Sequence, residues 1–244
     1  LSFGKAVLPS YHFENADVIL SIGCDFLTNW ISPIEHAGQY AQTRKLNKDK
    51  KTMSRHIQIE SNLSLTGSNS DDRIRIRPSE QGATIITLYN KIAAKAGQTA
   101  LSGGNSAMDA LAGKIADELW AAKGKALVVS GSNNINEQVL INSINMILAS
   151  YNSTIDLDRH SNMKQGNDSA FIELVNEMNS GSVAALLVYN SNPAYTSPNS
   201  KAFADGLKKV ELSLSFADRT DETAALCKYL APDNHYLESW NDYE

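Results

Sequence analysis

Short apolar runs that end in small or polar residues recur along the chain, separated by longer stretches with helical spacing. Asp17-Val-Ile-Leu-Ser-Ile22 and Arg55-His-Ile-Gln-Ile-Glu60 have strand composition, and helix-friendly residues run between them from Pro33 to about Leu46. A strand, a crossover and a second strand of these lengths predict a βαβ unit. Arg73-Ile-Arg-Ile-Arg77 alternates cleanly, which predicts a strand with one polar face, ended by Pro78. Ser79 is the expected N-cap of a helix to about Ala96, with Ile85, Ile86, Leu88, Tyr89 and Ile92 supplying its apolar positions. After a Gly/Ser/Thr-rich connector, a helix is expected from about Ser106 to Ala122. It carries Leu111, Ile115, Leu119 and Trp120 on one side, Trp120 as a core residue, and Gly124 closes it.

The second half repeats the theme. Ala126-Leu-Val-Val-Ser130 enters Gly131-Ser-Asn-Asn134, and a helix follows to about Ser150. Residues Asp156 to Asn167 read as polar and irregular. A helix over about Ser169–Met178, a strand over Val183–Tyr189, a helix over about Asn199–Leu207 and a strand over Lys209–Ser215 complete the pattern. Apolar strands alternating with helices predict an α/β fold: two Rossmann-like, mostly parallel sheets with helices on both faces. The expected division is a first unit over 1–97, a connector at 98–104 and a second unit over 105–244.

Three strands end in a small or polar tripeptide: Gly23-Cys24-Asp25, Gly131-Ser132-Asn133 and Asn190-Ser191-Asn192. Open α/β sheets bind ligands beyond the carboxyl ends of their strands, where strand order reverses. Tight βα turns favour the same residue types. The recurrence therefore points to a present or ancestral cleft without naming its contents.

Composition narrows the classes. With 42% hydrophobic and 20% charged residues in 244, the chain is ordinary globular material. A net charge of -5 and no Lys/Arg cluster, Lys48, Lys50 and Lys51 being interrupted by Asp49, give no support to nucleic-acid binding. No apolar run reaches the roughly 18 residues of a membrane helix. The two cysteines, Cys24 and Cys227, do not suffice for an iron–sulfur cluster and lack zinc-site spacing; both read as small apolar side chains. The five histidines, at 12, 36, 56, 160 and 235, form no metal-ligand spacing and read as surface or hydrogen-bonded residues. Phosphate-loop, Gly-x-Gly-x-x-Gly and Gly-x-Ser-x-Gly motifs are all missing.

The most informative segment is Asp218-Arg-Thr-Asp-Glu-Thr-Ala-Ala-Leu-Cys-Lys-Tyr-Leu-Ala-Pro232, followed by Tyr236-Leu-Glu-Ser-Trp-Asn-Asp242. Upstream stands Leu187-Val-Tyr-Asn-Ser-Asn-Pro-Ala194, and near the start Ala16-Asp-Val-Ile-Leu-Ser-Ile-Gly-Cys-Asp25. Gln58-Ile-Glu60, Thr66, Asp71 and Arg77-Pro78 lie between. Together these resemble the central α/β domains of molybdopterin oxidoreductases. The resemblance implies that such domains cradle the two guanine dinucleotide arms of a bis-molybdopterin guanine dinucleotide cofactor. The implied contacts are Gly23, Asp25, Glu60 and Asp71 in one half, and Gly131, Asn133, Asn190, Asn192, Asp218 and Glu222 in the other. For Asp221 and Glu222 the alternative is helix capping, with Thr220 or Asp221 as N-cap.

The chain departs from that pattern. Glu60-Ser61-Asn62 lacks the arginine of the family's Asp-Pro-Arg-like triplet, Ser79 replaces a common glycine, Lys228 replaces an acid, and the Leu-Pro turn reads Leu230-Ala231-Pro232. No molybdenum ligand is assignable. Tyr11-His-Phe-Glu-Asn-Ala-Asp-Val18 looks most like the iron–sulfur subunit of bacterial alternative complex III, a branch without a molybdenum cofactor. The resemblance implies a fragment of a longer subunit, a scaffold without its own cofactor in a membrane-bound quinol-oxidising electron-transfer complex, on the periplasmic side of the inner membrane. Its partners would be the other domains of that subunit and membrane or cytochrome subunits of a respiratory complex, with neither nucleic acid nor direct membrane insertion. No catalytic residue, metal or cofactor is expected in this fragment, and iron–sulfur clusters are expected only in the missing domains. The alternatives are the cofactor-cradling portion of an active bis-pterin molybdenum oxidoreductase and a stand-alone nucleotide-binding module.

Overall fold

The structure, a computed structural model, describes residues 7–48, 50–161 and 166–240. Asp49 of the interrupted lysine run, Asn241 and Asp242 at the end of the C-terminal motif, and positions 162–165 lie outside the described residues. The chain divides into two units, Leu1–Gln165 and Gly166–Glu244.

In the first unit the elements are β1 (Leu8–Tyr11), β2 (Val18–Ile22), α1 (Pro33–Arg44), β3 (Arg55–Glu60), α2 (Leu65–Ser68), β4 (Asp72–Arg75), α3 (Gln81–Lys95), α4 (Asp109–Ala121), β5 (Ala126–Ser130), α5 (Ile135–Ile147) and β6 (Ile155–Ser161). Four strands form one parallel sheet in the order β4-β3-β2-β5, as expected of a Rossmann-like half. Alternate residues of these strands serve two cores. Leu20, Ile22, Ile57, Ile59 and Val128 meet Ile85, Leu88, Ile115, Leu119 and Ile144 from α3, α4 and α5. Ile19, Leu127 and Val129 meet Phe13, Phe26 and Tyr40 on the other face. Both faces of β2 and β5 are therefore dry, which is why those two strands read as near-continuous apolar runs, whereas β4, mostly exposed at the other edge, alternates.

β5 is an edge strand, yet all of it is buried. Its outward backbone is satisfied by side chains. Val128 N donates to Asn145 Oδ1 at 3.0 Å, and Asn145 Nδ2 donates to Val128 O at 2.7 Å. The Ser150 and Thr154 hydroxyls both donate to Ala126 O at 2.8 Å. Asn145 stands in for a further strand and blocks edge pairing. Replacing it with leucine strands a buried N–H and C=O, so a loss of about 2 kcal/mol is expected in urea denaturation. An unchanged midpoint would show that water reaches this edge.

Three expectations need correction. The division at 98–104 is not where the compact units part: β5 pairs with β2 from Val18↔Ala126 to Ile22↔Ser130, and α4 and α5 share the core of the first sheet. The Gly/Ser-rich connector is a surface loop tied to α3, with Leu101 bonded to the Asn90 side chain and Asn105 N donating to Thr87 Oγ1 at 2.7 Å. The stretch expected to be irregular from Asp156 contains β6, which pairs antiparallel with β1. Its partner lies at the far end of the unit's sequence, and Pro9 in β1 masks that strand, being tolerated only at an edge. Ser79 is not an N-cap; it sits in a 3-10 turn, Pro78–Glu80, before α3, and Arg77 N donates to Glu80 Oε2 at 2.8 Å instead.

The second unit contains α6 (Asp168–Ser180), β7 (Ala185–Val188), α7 (Pro193–Thr196), α8 (Ser200–Leu207), β8 (Leu212–Ser215) and β9 (Tyr229–Leu230). β7, β8 and β9 form a parallel sheet in that order. Val175, Met178, Phe203, Leu207 and Val210 form its core. Gly206 lets α8 approach α6, since a Cβ there would lie 2.9 Å from Met178 Cβ.

Candidate functional site

In the first unit the chain winds from β2 through β3 to β4 and then returns to β5 on the other side of β2. Strand order thus reverses between β2 and β5, the place where open α/β sheets hold ligands. Gly23 and Gly131 meet there. Gly23 has a φ of +56°, and a Cβ on Gly131 would lie 2.2 Å from Gly23 O. The two glycines are needed for the contact of one turn's backbone with the other, and they make that contact with each other.

The space above them is also taken. Gln81, at the start of α3, would lie 2.9 Å from a Cβ on Gly23 and donates to Glu137 Oε2 at 2.9 Å. Glu137 places a carboxylate in the first turn of α5, whose N-terminal amides Asn134 already caps. Gln138 Nε2 closes the Gly131-Ser132 loop by donating to Ser130 O and Ser132 O. Asn133 is exposed on that loop. A helix N-terminus with its amides capped and an acid in its first turn is a poor seat for phosphate.

The acids are engaged inside the protein. Asp25 Oδ1 accepts from Thr66 N at 3.1 Å and Thr66 Oγ1 at 2.7 Å, holding the single turn of α2 against the β2 loop. Glu60, buried at the end of β3, accepts from Arg73 Nε at 2.5 Å, Ser64 Oγ at 2.6 Å, Gln58 Nε2 at 3.1 Å and Ser64 N at 3.2 Å. Burial alone pushes its carboxyl upward; the Ser64 and Arg73 bonds outweigh that and hold it below the usual range. Asp71 is not in the cleft. It precedes β4 at the amino edge of the sheet, roughly 13 Å along the strand direction, where Arg44 grips it through two bonds of 2.7 and 2.8 Å and His56 N donates at 2.8 Å. Arg44 holds its carboxyl low. The family resemblance made it a candidate, but β4 separates it from Arg77-Pro78.

In the second unit a cavity of about 560 Å³ opens beyond the carboxyl ends of the strands, lined by Asn190, Asn192, Asp218, Asp221 and Asp233, with Arg219, His235 and aromatic residues. Asn190 takes a φ of +50° at the turn after β7. Asn192 Oδ1 accepts from Thr223 N at 3.2 Å and Thr223 Oγ1 at 2.7 Å, while its Nδ2 donates to Glu222 Oε2 at 2.7 Å. That bond holds the Glu222 carboxyl low. Asp218 pairs with its neighbour Arg219 at 2.9 and 3.0 Å, which lowers its carboxyl too. Asp221 accepts from Ala224 N at 2.7 Å, so the capping alternative holds for Asp221, at a 3-10 turn rather than a helix. Three aspartates against one arginine, itself paired with Asp218, give the lining a negative balance that disfavours a pyrophosphate.

Of the residues that fill these sites, Ser64, Gln81 and Glu137 went unread in the sequence, and Thr66, Arg73 and Thr223 were read only as parts of motifs or a strand, not as partners of the acids and Asn192. Only Ser64 carried a local signal, as the cap of α2 through its bond from Gly67 N. Cys24 is buried and its thiol is pushed well up by that burial; burial raises Cys227 as well, so both stay protonated. Among the described residues no His/Cys/Asp/Glu group could hold a metal ion, and no helix is long and apolar enough to cross a membrane.

Each unit has a Rossmann-like parallel sheet with loops at the strands' carboxyl ends, an α/β architecture in which the candidate residues are largely bound to one another. A curated protein with which the chain is similar is the menaquinone reductase, molybdopterin-binding-like subunit of Nitratidesulfovibrio vulgaris, at 24% identity over 95% of this chain. The two are distant homologues, and the chain spans 38% of that relative's length. No protein-family model matches the chain.

Proposed function

We propose that this chain is a structural α/β portion of a molybdopterin-oxidoreductase-like subunit in a membrane-bound, quinone-linked electron-transfer complex, without a cofactor of its own. The carrying observation is the self-filled cleft: Glu60, Asp25 and Glu137 are tied to Arg73, Thr66 and Gln81 where a dinucleotide arm would lie. The similarity to a molybdopterin-binding-like subunit supports the same reading. That relative's name describes a menaquinone reductase, so the proposal covers quinone-linked transfer in either direction rather than quinol oxidation alone. The role is to hold a neighbouring iron–sulfur domain at electron-transfer distance and to present surface to partner subunits, at the periplasmic face, in an assembly of the alternative complex III type.

A second reading, the cradle of a working bis-pterin cofactor, has one observation in its favour: the 560 Å³ cavity beside Asn190 and Asp218. The experiment is metal analysis for molybdenum and tungsten, with acid release of guanine nucleotide, on the full-length parent in its native complex. Metal and nucleotide are both expected well below one per subunit. Near-stoichiometric amounts of both would replace the scaffold reading with the cradle.

A further inference from the structure

The two sheets differ in how they are covered. The first buries both faces, each against its own core. In the second, β7 leads through α8 to β8 and then through a short 3-10 turn to β9, stepping in one direction across the sheet. Right-handed crossovers that step one way lie on one face. That face carries Leu186, Val188, Ser213 and Ser215, closed over by the core of α6 and α8.

The opposite face is apolar and open. In register it presents Ala185 beside Leu212, then Leu187 beside Leu214 beside Tyr229. Leu187 is 62% exposed, Tyr229 58% and Leu212 44%. None of these five side chains is charged, so nothing on the face favours an ionic partner. All-parallel sheets occur almost only with both faces covered, and the cover comes from helices of the same polypeptide.

We infer that this face of β7, β8 and β9 is the seat of an amphipathic α-helix from the same, longer polypeptide, outside the 244 residues. The inference rests on the reading of this chain as part of a larger subunit. The similar subunit extends well beyond the matched portion, 38% of its length, which leaves polypeptide enough to supply such a helix. The helix would bring two or three large apolar residues at i, i+3/i+4 and i+7 spacing onto Leu187, Leu212 and Tyr229.

The test uses the full-length polypeptide in its native complex, in a Cys227→Ser background. Leu187→Cys and Leu212→Cys are each reacted with a water-soluble maleimide and compared with Tyr195→Cys, a control at a 73% exposed position. Both face positions should react at least tenfold more slowly than the control and match it after urea denaturation. A photo-crosslinker at position 187 should then capture a peptide of the same polypeptide outside the 244 residues. Equal native rates overturn the inference. So does a crosslink within the 244 residues, to a second copy at twice the mass, or to a different subunit. Cofactor analysis of the same preparation is independent of these readings: stoichiometric metal and nucleotide would remove the scaffold role and leave the covered face intact.

Discussion

Glu60→Ala is expected to destabilise the first unit by about 1–3 kcal/mol, the cost of leaving several donors without their shared buried acceptor. The carboxylate is 5% exposed, and its removal leaves Arg73 Nε and the Ser64 hydroxyl without their acceptor. Gly67 supplies the cross-check. A Cβ there would lie 2.1 Å from Glu60 Oε1, so Gly67→Ala must push the carboxylate off its donors, at a cost of about 1–3 kcal/mol. In the Glu60→Ala background that obstacle is gone and the second substitution should cost a few tenths of a kcal/mol. Urea denaturation of the four proteins measures the coupling, expected at about 1 kcal/mol or more. Effects that simply add would mean Glu60 is not held where Arg73 and Ser64 place it. A carboxylate with this much folding free energy invested in internal bonds is a wall of the cleft, which is the physical content of the scaffold proposal.

The sequence pattern located most of the elements because their signals are local. Arg55–Glu60 and Ala126–Ser130 fall where their composition puts them, and both are buried almost throughout. What it could not locate was pairing across long separations. β5 lies after a glycine-rich loop that looks like a boundary, and β6 finds β1 from the other end of the unit. The candidate site shows the same limit. Gly23, Gly131, Asp25 and Glu60 were legible as turn-forming and acidic residues at strand ends. Whether those residues face a ligand or one another depends on Arg73, Thr66 and Gln81, whose contacts span 13, 41 and, for Gln81 to Glu137, 56 positions. Residue type at a strand end therefore says where a cleft can be, while distant side chains decide whether it is open.

Acid stability is the other large effect, and it arises at His56. The ring is wholly buried against Phe26 and Tyr40, with centroids 5.4 Å from each. Tyr40 Oη donates to Asn69 O at 3.0 Å, so it accepts from His56 Nδ1–H, also at 3.0 Å, and that tautomer leaves Nε2 bare and without a partner. Burial pushes the imidazole pKa down to about 4; Gln58, Asp71 and Glu60 pull it back, and Arg44 presses it lower. The unfolded chain takes up this proton near its ordinary value of 6.5 and the native chain only near 4. Stability is therefore complete above about pH 6.5 and falls as pH drops through that window, by about 3 kcal/mol from this residue. His36, held low mainly by burial, loses stability in the same direction, whereas the lowered Glu60 and Asp71 carboxyls give theirs up only at still lower pH. His56→Phe keeps an aromatic ring in the cluster and removes the titration. Urea midpoints from pH 7.5 to 4.5 should fall steeply for the parent and much less for the variant. Equal falls would assign the acid limb to other groups and would mean that water reaches His56 Nε2.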